Sequence, residues 1–165
     1  MSASTLKITA VSDREIAITR VFNAPRRLVF DAYTKPELVR QWLGIFGGWS
    51  MPVCEIDLRV GGRYRYVWRK NGKDMGMGGV FREIVIPERL VATEVFDDSW
   101  YPGTGVDTST FVEHDGRTTL TTTVLYESRA ARDAVLQSPM ETGLKAGYDR
   151  LEELLPTFAQ DAVSP

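Results

Sequence analysis

Residues 138–156, SPMETGLKAGYDRLEELLP, decide the fold of this chain. Apolar or small residues recur every three or four positions on one face of this segment, and charged residues occupy the other, which is typical of an amphipathic helix. Ser138 and Glu141 match a capping box at the helix start, and Pro156 predicts its end. Such a helix is roughly 25 Å long, enough to cross several strands of a sheet.

The residues before this helix predict a mostly antiparallel sheet. Apolar and polar residues alternate in several short segments, and Asn71-Gly72 and Asp115-Gly116 are typical of tight hairpin turns. The predicted strands cover residues 14–22, 54–58, 63–68, 74–85, 89–97, 106–114 and 117–126. Short helices are predicted over residues 25–33, 36–42 and 129–136.

This order of elements predicts one α+β domain. A curved antiparallel sheet of six to seven strands would wrap around the long C-terminal helix, with two short helices after the first strand. The domain is predicted over residues 13–157, and the small, polar ends 1–12 and 158–165 are predicted to be flexible tails.

Composition excludes several classes of function. The formal net charge of −2 over 165 residues offers no basic surface for nucleic acid. No apolar stretch reaches the roughly 20 residues of a membrane-spanning helix, and the start of the chain lacks the features of a secretory signal. With one cysteine and no metal-ligand spacing, the sequence favours a cytoplasmic protein without metal or other cofactor.

The inner face of the long helix is interrupted by glycine. Gly143 and Gly147 stand at two inward positions, although each disfavours a helix by about 1 kcal/mol relative to alanine. They either leave room for a ligand beside Tyr148 or allow the helix to pack closely on its neighbours. Both interpretations are compatible with the sequence.

Aromatic residues are placed where they would surround such a space. They occur at the end of the second short helix, on one face of a strand and in a turn-rich loop that would either cover a pocket or fold back on the domain. The candidate ligand-binding residues are therefore Trp42, Phe46, Tyr64, Tyr66, Trp68, Trp100, Tyr101, Gly143, Gly147 and Tyr148.

Three ionisable residues are candidates for a chemical role. Glu94 alternates with Leu90 and Ala92, so its carboxyl points either into the domain or to a solvated strand face. His114 precedes a turn and is expected to be exposed, and Cys54 is expected on an apolar strand face. Glu94 joins the candidate binding residues, whereas no residue is assigned a catalytic role.

Several short motifs, taken in order along the chain, resemble one family. The segments are residues 20–25 (RVFNAP), 42–44 (WLG), 61–64 (GGRY), 87–91 (PERLV), 115–118 (DGRT) and 143–151. They are similar to the branch of the START-like (SRPBCC) superfamily named after the activator of the heat-shock-protein-90 ATPase. The resemblance covers about residues 13–157 and implies a helix-grip fold with a cavity between sheet and helix and no obligatory cofactor.

Three functions are compatible with these patterns. The favoured one is non-enzymatic binding of a small hydrophobic molecule, lipid-like or polyketide-like, by a monomer or homodimer. The alternatives are a protein-interaction module, with a chaperone as partner, and a cyclase-type or hydrolase-type enzyme that uses an inward carboxylate. A fold shared by carriers, sensors, cyclases and chaperone partners does not choose among them.

Overall fold

The structure is a computed structural model that describes residues 6–98 and 103–163. Its elements follow the chain in this order: β1 Lys7–Ser12, β2 Glu15–Phe22, α1 Arg26–Thr34, α2 Pro36–Val39, β3 Ser50–Ile56, β4 Arg63–Lys70, β5 Lys73–Val85, β6 Arg89–Phe96, β7 Gly105–His114, β8 Arg117–Leu125, α3 Arg129–Leu136 and α4 Met140–Val163.

The eight strands found in the described residues form one curved sheet. Their order is β1-β2-β8-β7-β6-β5-β4-β3, and every neighbouring pair is antiparallel. The helices lie against the sheet, which confirms the α+β helix-grip arrangement predicted from the sequence. The strand count is one more than the upper end of the predicted range.

Both predicted hairpin turns have the backbone that their sequences require. Asn71 and Gly72 have φ of 53° and 76°, and Asp115 and Gly116 have φ of 52° and 76°. Two successive residues with positive φ define the type I′ turn, which matches the twist of paired strands. These turns hold β4 against β5 and β7 against β8.

The two predicted tails are wrong where the structure describes them. Residues 7–12 form β1, which pairs with β2. Most side chains of β1 are exposed, so the strand is held by backbone hydrogen bonds. For this reason its sequence shows little of the apolar alternation that predicts a strand. At the other end, α4 continues past Pro156 to Val163. Phe158 is only 2% exposed, and its burial stabilises the helix beyond the proline.

The start of α4 also differs from the prediction. The Ser138 hydroxyl donates a 2.6 Å hydrogen bond to the carbonyl oxygen of Val135, at the end of α3. The predicted capping contact of Ser138 with α4 is not among the hydrogen bonds of the described residues. Ser138 therefore closes the preceding helix, and Pro139 separates the two helices.

Buried side chains form two clusters on the concave side of the sheet. The larger cluster joins α1, α3 and α4 to β2, β7 and β8, and includes Phe22, Phe30, Phe111, Leu120, Leu151 and Leu155. The smaller cluster joins α2 to β3, β4 and β5, and includes Val39, Met51, Cys54, Trp68 and Phe81. The space between these clusters holds the candidate site.

Candidate functional site

A cavity of about 310 Å³ lies between the two clusters, enclosed by the sheet and by α1, α2, α3 and α4. Residues of both clusters line it, so it reaches into the core of the domain, and it is partly open to solvent. Its walls are mainly apolar, and the few side chains with polar groups converge from the sheet and from α1 and α4. Such a combination is typical of sites for small organic molecules.

Strand alternation places the sheet side chains in the cavity. On β6 the inward positions are Leu90, Ala92, Glu94 and Phe96, which follow one another at intervals of two residues. The same interval brings in the other sheet residues, because successive side chains of a strand point to opposite faces. These are Ile18, Tyr64, Tyr66, Trp68, Met77, Phe81, Asp107, Ser109, Thr122 and Val124.

Small residues in the centre of the sheet create the space. Ala92, Ser109 and Thr122 lie on the adjacent strands β6, β7 and β8. Two residues after Ser109, on the same face of β7, Phe111 fills the neighbouring part of the core. The hydroxyls of Ser109 and Thr122 are 2.9 Å apart and form a hydrogen bond. Each hydroxyl therefore has a partner within the protein.

Two tryptophans form fixed walls. The Trp42 indole nitrogen donates to the Ala32 carbonyl oxygen at 3.0 Å, and the Trp68 indole nitrogen donates to the Leu43 carbonyl oxygen at 2.9 Å. Since both N–H groups are bonded to backbone, each ring presents its apolar surface to the cavity. The rings are held in place before any ligand enters.

Tyrosine hydroxyls at the cavity differ in their hydrogen bonds. Tyr64 donates to the Thr93 carbonyl oxygen at 2.6 Å, and Tyr33 donates to the Tyr148 hydroxyl at 2.8 Å. Within the described chain, the Tyr66 hydroxyl has no hydrogen-bond partner. Burial raises the pKa of Tyr33, Tyr66 and Tyr148, so all three hydroxyls are protonated and neutral at pH 7.

Two carboxyl groups meet at the polar side of the cavity. Glu94 on β6 faces Gly105 on β7, and Asp107 follows two residues later on the same face. Gly105 leaves space here, because a Cβ at this glycine would lie 3.7 Å from a carboxyl oxygen of Glu94. The side chains of Glu94 and Asp107 share a hydrogen bond.

The environment of this pair favours a bound proton. Burial, together with the charge and the hydrogen bond of Glu94, raises the pKa of Asp107 well above its ordinary value. The pKa of Tyr126 is raised too, mainly by burial and in addition by the nearby carboxyl groups of Glu94 and Asp107. The Oδ1 atom of Asp107 is buried, and it accepts no hydrogen bond from an N–H or O–H group of the described residues.

The structure brings together six of the predicted site residues. Trp42, Tyr64, Tyr66, Trp68, Glu94 and Tyr148 all line the cavity. Trp100 and Tyr101 lie outside the described residues. The remaining three, Phe46, Gly143 and Gly147, are not among the lining residues.

Gly143 and Gly147 lie against the segment after α2. A Cβ at Gly147 would lie 3.5 Å from the Trp42 carbonyl oxygen, and one at Gly143 would lie 3.5 Å from the Phe46 ring. Both are ordinary van der Waals distances, so either position has room for a methyl group. Phe46 itself is 37% exposed and covers this contact from outside.

Several cavity residues were not predicted, and Asp107 is the most important. Its position could have been inferred, because Asp107, Ser109 and Phe111 alternate on β7 and Phe111 is an obvious core residue. Thr122 and Tyr126 carry the same signal, because they alternate with the apolar residues Leu120 and Val124. Tyr33 lacks it, since its approach to the cavity depends on how α1 packs on the sheet.

Cys54 and His114 lie apart from each other. Cys54 is buried on β3, and burial raises the pKa of its thiol. His114 is at the β7–β8 turn, with 90% of its side chain exposed, and its Nε2 lies 3.2 Å from Asp115. The strand order places β6, β5 and β4 between them, so they do not form a catalytic pair.

The described residues hold neither a metal cluster nor a membrane-spanning helix. No group of three or more histidine, cysteine, aspartate or glutamate side chains is arranged to hold a metal ion in residues 6–98 and 103–163. No helix in the described part of the chain has both the length and the apolar character needed to cross a membrane.

Comparison with solved structures supports the fold over nearly the whole chain. A protein of Rhodobacter sphaeroides is 30% identical, with a TM-score of 0.87, over 92% of this chain and 98% of that chain. A protein of Staphylococcus epidermidis is 27% identical, with a TM-score of 0.79, over 92% and 94%. An HSP90 activator from Plasmodium falciparum is 22% identical, with a TM-score of 0.64, over 87% and 96%, and shows the fold alone.

The family follows from a match over most of the chain. The model of the family described as "Activator of Hsp90 ATPase homolog 1-like protein" matches residues 23–156. No curated protein matches this chain. The chain belongs to this family, within the START-like (SRPBCC) superfamily.

Proposed function

We propose that this member of the Hsp90 ATPase activator homologue family binds a small, mainly apolar molecule in the cavity between its sheet and α4. The observation that carries the proposal is the cavity itself, about 310 Å³ of space in the middle of the core. A gap of this size forfeits packing contacts that a filled core would have. A ligand of matching shape would recover them.

The walls support binding without a large rearrangement. Trp42 and Trp68 are fixed by their backbone hydrogen bonds, and Tyr33 and Tyr148 are fixed by their bond to each other. A preformed pocket avoids much of the entropy lost when side chains become ordered on binding. The Tyr66 hydroxyl and the Glu94–Asp107 pair offer polar groups that would orient the ligand.

The proposed function also specifies the partner and the cellular location of the protein. The ligand, in place of a chaperone, is the main partner, and the protein acts in the cytoplasm. No catalytic step, metal or cofactor is part of the proposed function.

The experiment is a calorimetric titration with 2-(1-naphthyl)ethanol, a neutral apolar probe with one hydroxyl. We expect binding at one site. Leu144→Trp on α4 places a larger ring at the cavity wall, so it is expected to weaken binding at least about tenfold. The matched control is Val112→Trp on β7, where the side chain is 59% exposed and lies outside the cavity.

The outcomes separate binding in the cavity from binding elsewhere. Unchanged affinity in Val112→Trp with loss in Leu144→Trp supports the proposal. Absence of binding to the wild-type protein, or equal affinity in wild type and Leu144→Trp, contradicts it. Circular dichroism of both variants shows whether the fold is retained.

A further inference from the structure

We propose that the cavity selects a ligand whose apolar body carries an uncharged carbonyl group, of the ketone or ester class, and that its oxygen accepts a hydrogen bond from the Tyr66 hydroxyl. This inference rests on the proposed binding function and specifies the chemistry of its ligand. It is derived from a tyrosine that lines the cavity and whose hydroxyl has no hydrogen bond within the described chain.

The Tyr66 ring is held in place by its neighbours on β4. Tyr64, Tyr66 and Trp68 occupy alternate positions of this strand, and all three line the cavity. The centre of the Tyr66 ring lies 5.2 Å from that of Tyr64 and 5.8 Å from that of Trp68. Trp68 is itself fixed by its hydrogen bond to the Leu43 carbonyl oxygen. This row of rings sets the position of the Tyr66 hydroxyl before a ligand binds.

The Tyr66 side chain is accessible from the cavity. Tyr64 and Trp68 are 8% and 6% exposed, whereas Tyr66 between them is only partly buried. The Tyr66 hydroxyl lies near enough to Tyr33 on α1 to contribute to the raised pKa of that residue. Since α1 packs on the concave side of the sheet, the Tyr66 hydroxyl lies within the cavity and not on the outer face.

Tyr66 differs from other tyrosines of the cavity in the state of its hydroxyl. The Tyr64 hydroxyl donates to the Thr93 carbonyl oxygen, and the Tyr33 hydroxyl donates to Tyr148. Their protons are thus already bonded within the protein. No such bond joins the Tyr66 hydroxyl to a described residue, so its proton is available to a ligand. A ligand that leaves this hydroxyl unpaired loses a hydrogen bond that water would make with it.

The Tyr66 hydroxyl favours a ligand group that accepts a hydrogen bond. Burial raises the pKa of Tyr66, so the hydroxyl keeps its proton at pH 7. A phenol donates a hydrogen bond more readily than it accepts one, because a lone pair of its oxygen is delocalised into the ring. A carbonyl oxygen accepts and has no proton of its own to place, so it matches this hydroxyl.

The cavity walls favour an uncharged acceptor over a carboxylate. Among the described residues that line the cavity, none is lysine, arginine or histidine. An ionised carboxylate would lose its water there without gaining a cation, and one hydrogen bond from a tyrosine does not offset that loss. A carbonyl group loses much less hydration, which makes a ketone or an ester the expected class.

The test compares two probes that differ at the carbonyl oxygen alone. 1-Acetonaphthone carries a ketone on a naphthalene ring, and 1-isopropenylnaphthalene has the same shape with a CH2 group in place of the oxygen. Equilibrium dialysis at pH 7 gives the affinity of each probe. Water solvates the ketone better than the hydrocarbon, so the informative quantity is the change in the affinity ratio when the Tyr66 hydroxyl is removed.

One variant and one control measure this change. Tyr66→Phe removes the hydroxyl and keeps the ring, and the ratio of ketone affinity to hydrocarbon affinity is expected to fall about fivefold to tenfold. Thr110→Val is the control. It removes a hydroxyl from β7 between the inward residues Ser109 and Phe111, so the changed side chain points away from the cavity. Its ratio is expected to equal that of wild type.

A second measurement needs only the wild-type protein. A hydrogen bond to a carbonyl oxygen lowers the C=O stretching frequency, which infrared difference spectroscopy records for 1-acetonaphthone isotope-labelled at the carbonyl carbon. The frequency of the bound ketone is expected to lie below that of the ketone in hexane. In Tyr66→Phe it is expected to approach the hexane value.

Failure of this inference differs from failure of the binding function. If both probes bind and the affinity ratio is the same in wild type and Tyr66→Phe, the carbonyl class is wrong and the binding function stands. A wild-type frequency equal to the hexane value, or an equal fall of the ratio in Thr110→Val, has the same meaning. So does binding of 2-(1-naphthyl)ethanol alone. If none of the three probes binds, both proposals are overturned.

Discussion

The two halves of α4 meet the same sheet in different ways. In the C-terminal half, Leu151, Leu155 and Phe158 are at most 2% exposed and are packed in the larger cluster. In the N-terminal half, Met140 and Leu144 are only partly buried and line the cavity. Tyr148 stands between the halves and belongs to both the cluster and the cavity wall.

The two halves of α4 differ in packing because the sheet side chains that face them differ in size. The packed half has Phe22, in an edge-to-face contact with Tyr148 at 5.6 Å, and the large residues Phe111 and Leu120. The other half has Ala92, Ser109 and Thr122 on its strands. One continuous helix thus stabilises the domain with one half and leaves a binding space with the other.

Removing a leucine from each half should have the largest and most unequal effect. Leu151→Ala opens a hole in a filled core and is expected to lower the free energy of unfolding by about 2–5 kcal/mol. Leu144→Ala only enlarges existing space, so a loss of about 1–2 kcal/mol is expected. Urea unfolding at pH 7 measures both, and equal losses would contradict the division of α4.

Tyr33→Phe tests the boundary between the halves with a smaller effect. It removes the 2.8 Å hydrogen bond to the Tyr148 hydroxyl and is expected to lower stability by about 1 kcal/mol. A double-mutant cycle with Tyr148→Phe isolates this bond from other losses. If the two effects simply add, the hydroxyls do not stabilise each other.

The last expected effect is a change in how stability depends on pH. The pKa of Asp107 is raised above its ordinary value of 3.8, so the folded protein holds this proton more tightly than the unfolded chain. Its contribution to stability is therefore complete below about pH 4 and is lost as pH rises through the folded pKa. Asp107→Asn, which cannot ionise, should gain stability relative to wild type as pH rises.

Urea unfolding of wild type and Asp107→Asn at pH 4, 5.5 and 7 gives this difference directly. Asp115→Asn serves as the control, because its side chain is 86% exposed at the β7–β8 turn. A relative stability of Asp107→Asn that falls as pH rises would mean that the folded protein favours the ionised carboxyl.

Much of the fold was predictable because short sequence patterns determine several of its turns and helices. The Asn71-Gly72 and Asp115-Gly116 turns set the positions of two hairpins, and α3 lies at the predicted residues 129–136. The ends were not predictable in the same way. β1 is stabilised by backbone pairing with few buried side chains, and α4 passes Pro156 because Phe158 is buried by distant parts of the chain.

The candidate site was only partly predictable. Aromatic residues such as Trp42 and Trp68 stood out by type and position, and both line the cavity. Gly143 and Gly147 are not among the lining residues, and a missing side chain has the same appearance in sequence whether it makes space or allows close packing. The inward position of Asp107 could have been inferred from alternation on β7, but its meeting with Glu94 depends on the register between β6 and β7, which sequence spacing alone does not give.

The central claim is that a small molecule occupies the space beside the N-terminal half of α4. The most direct measurement is methyl NMR of the labelled protein with 2-(1-naphthyl)ethanol, in which nuclear Overhauser contacts locate the bound ring. The claim predicts contacts with the methyl groups of Ala92, Val124 and Leu144, which all line the cavity. Contacts confined to exposed residues such as Val85 and Val112, with none in the cavity, would contradict it.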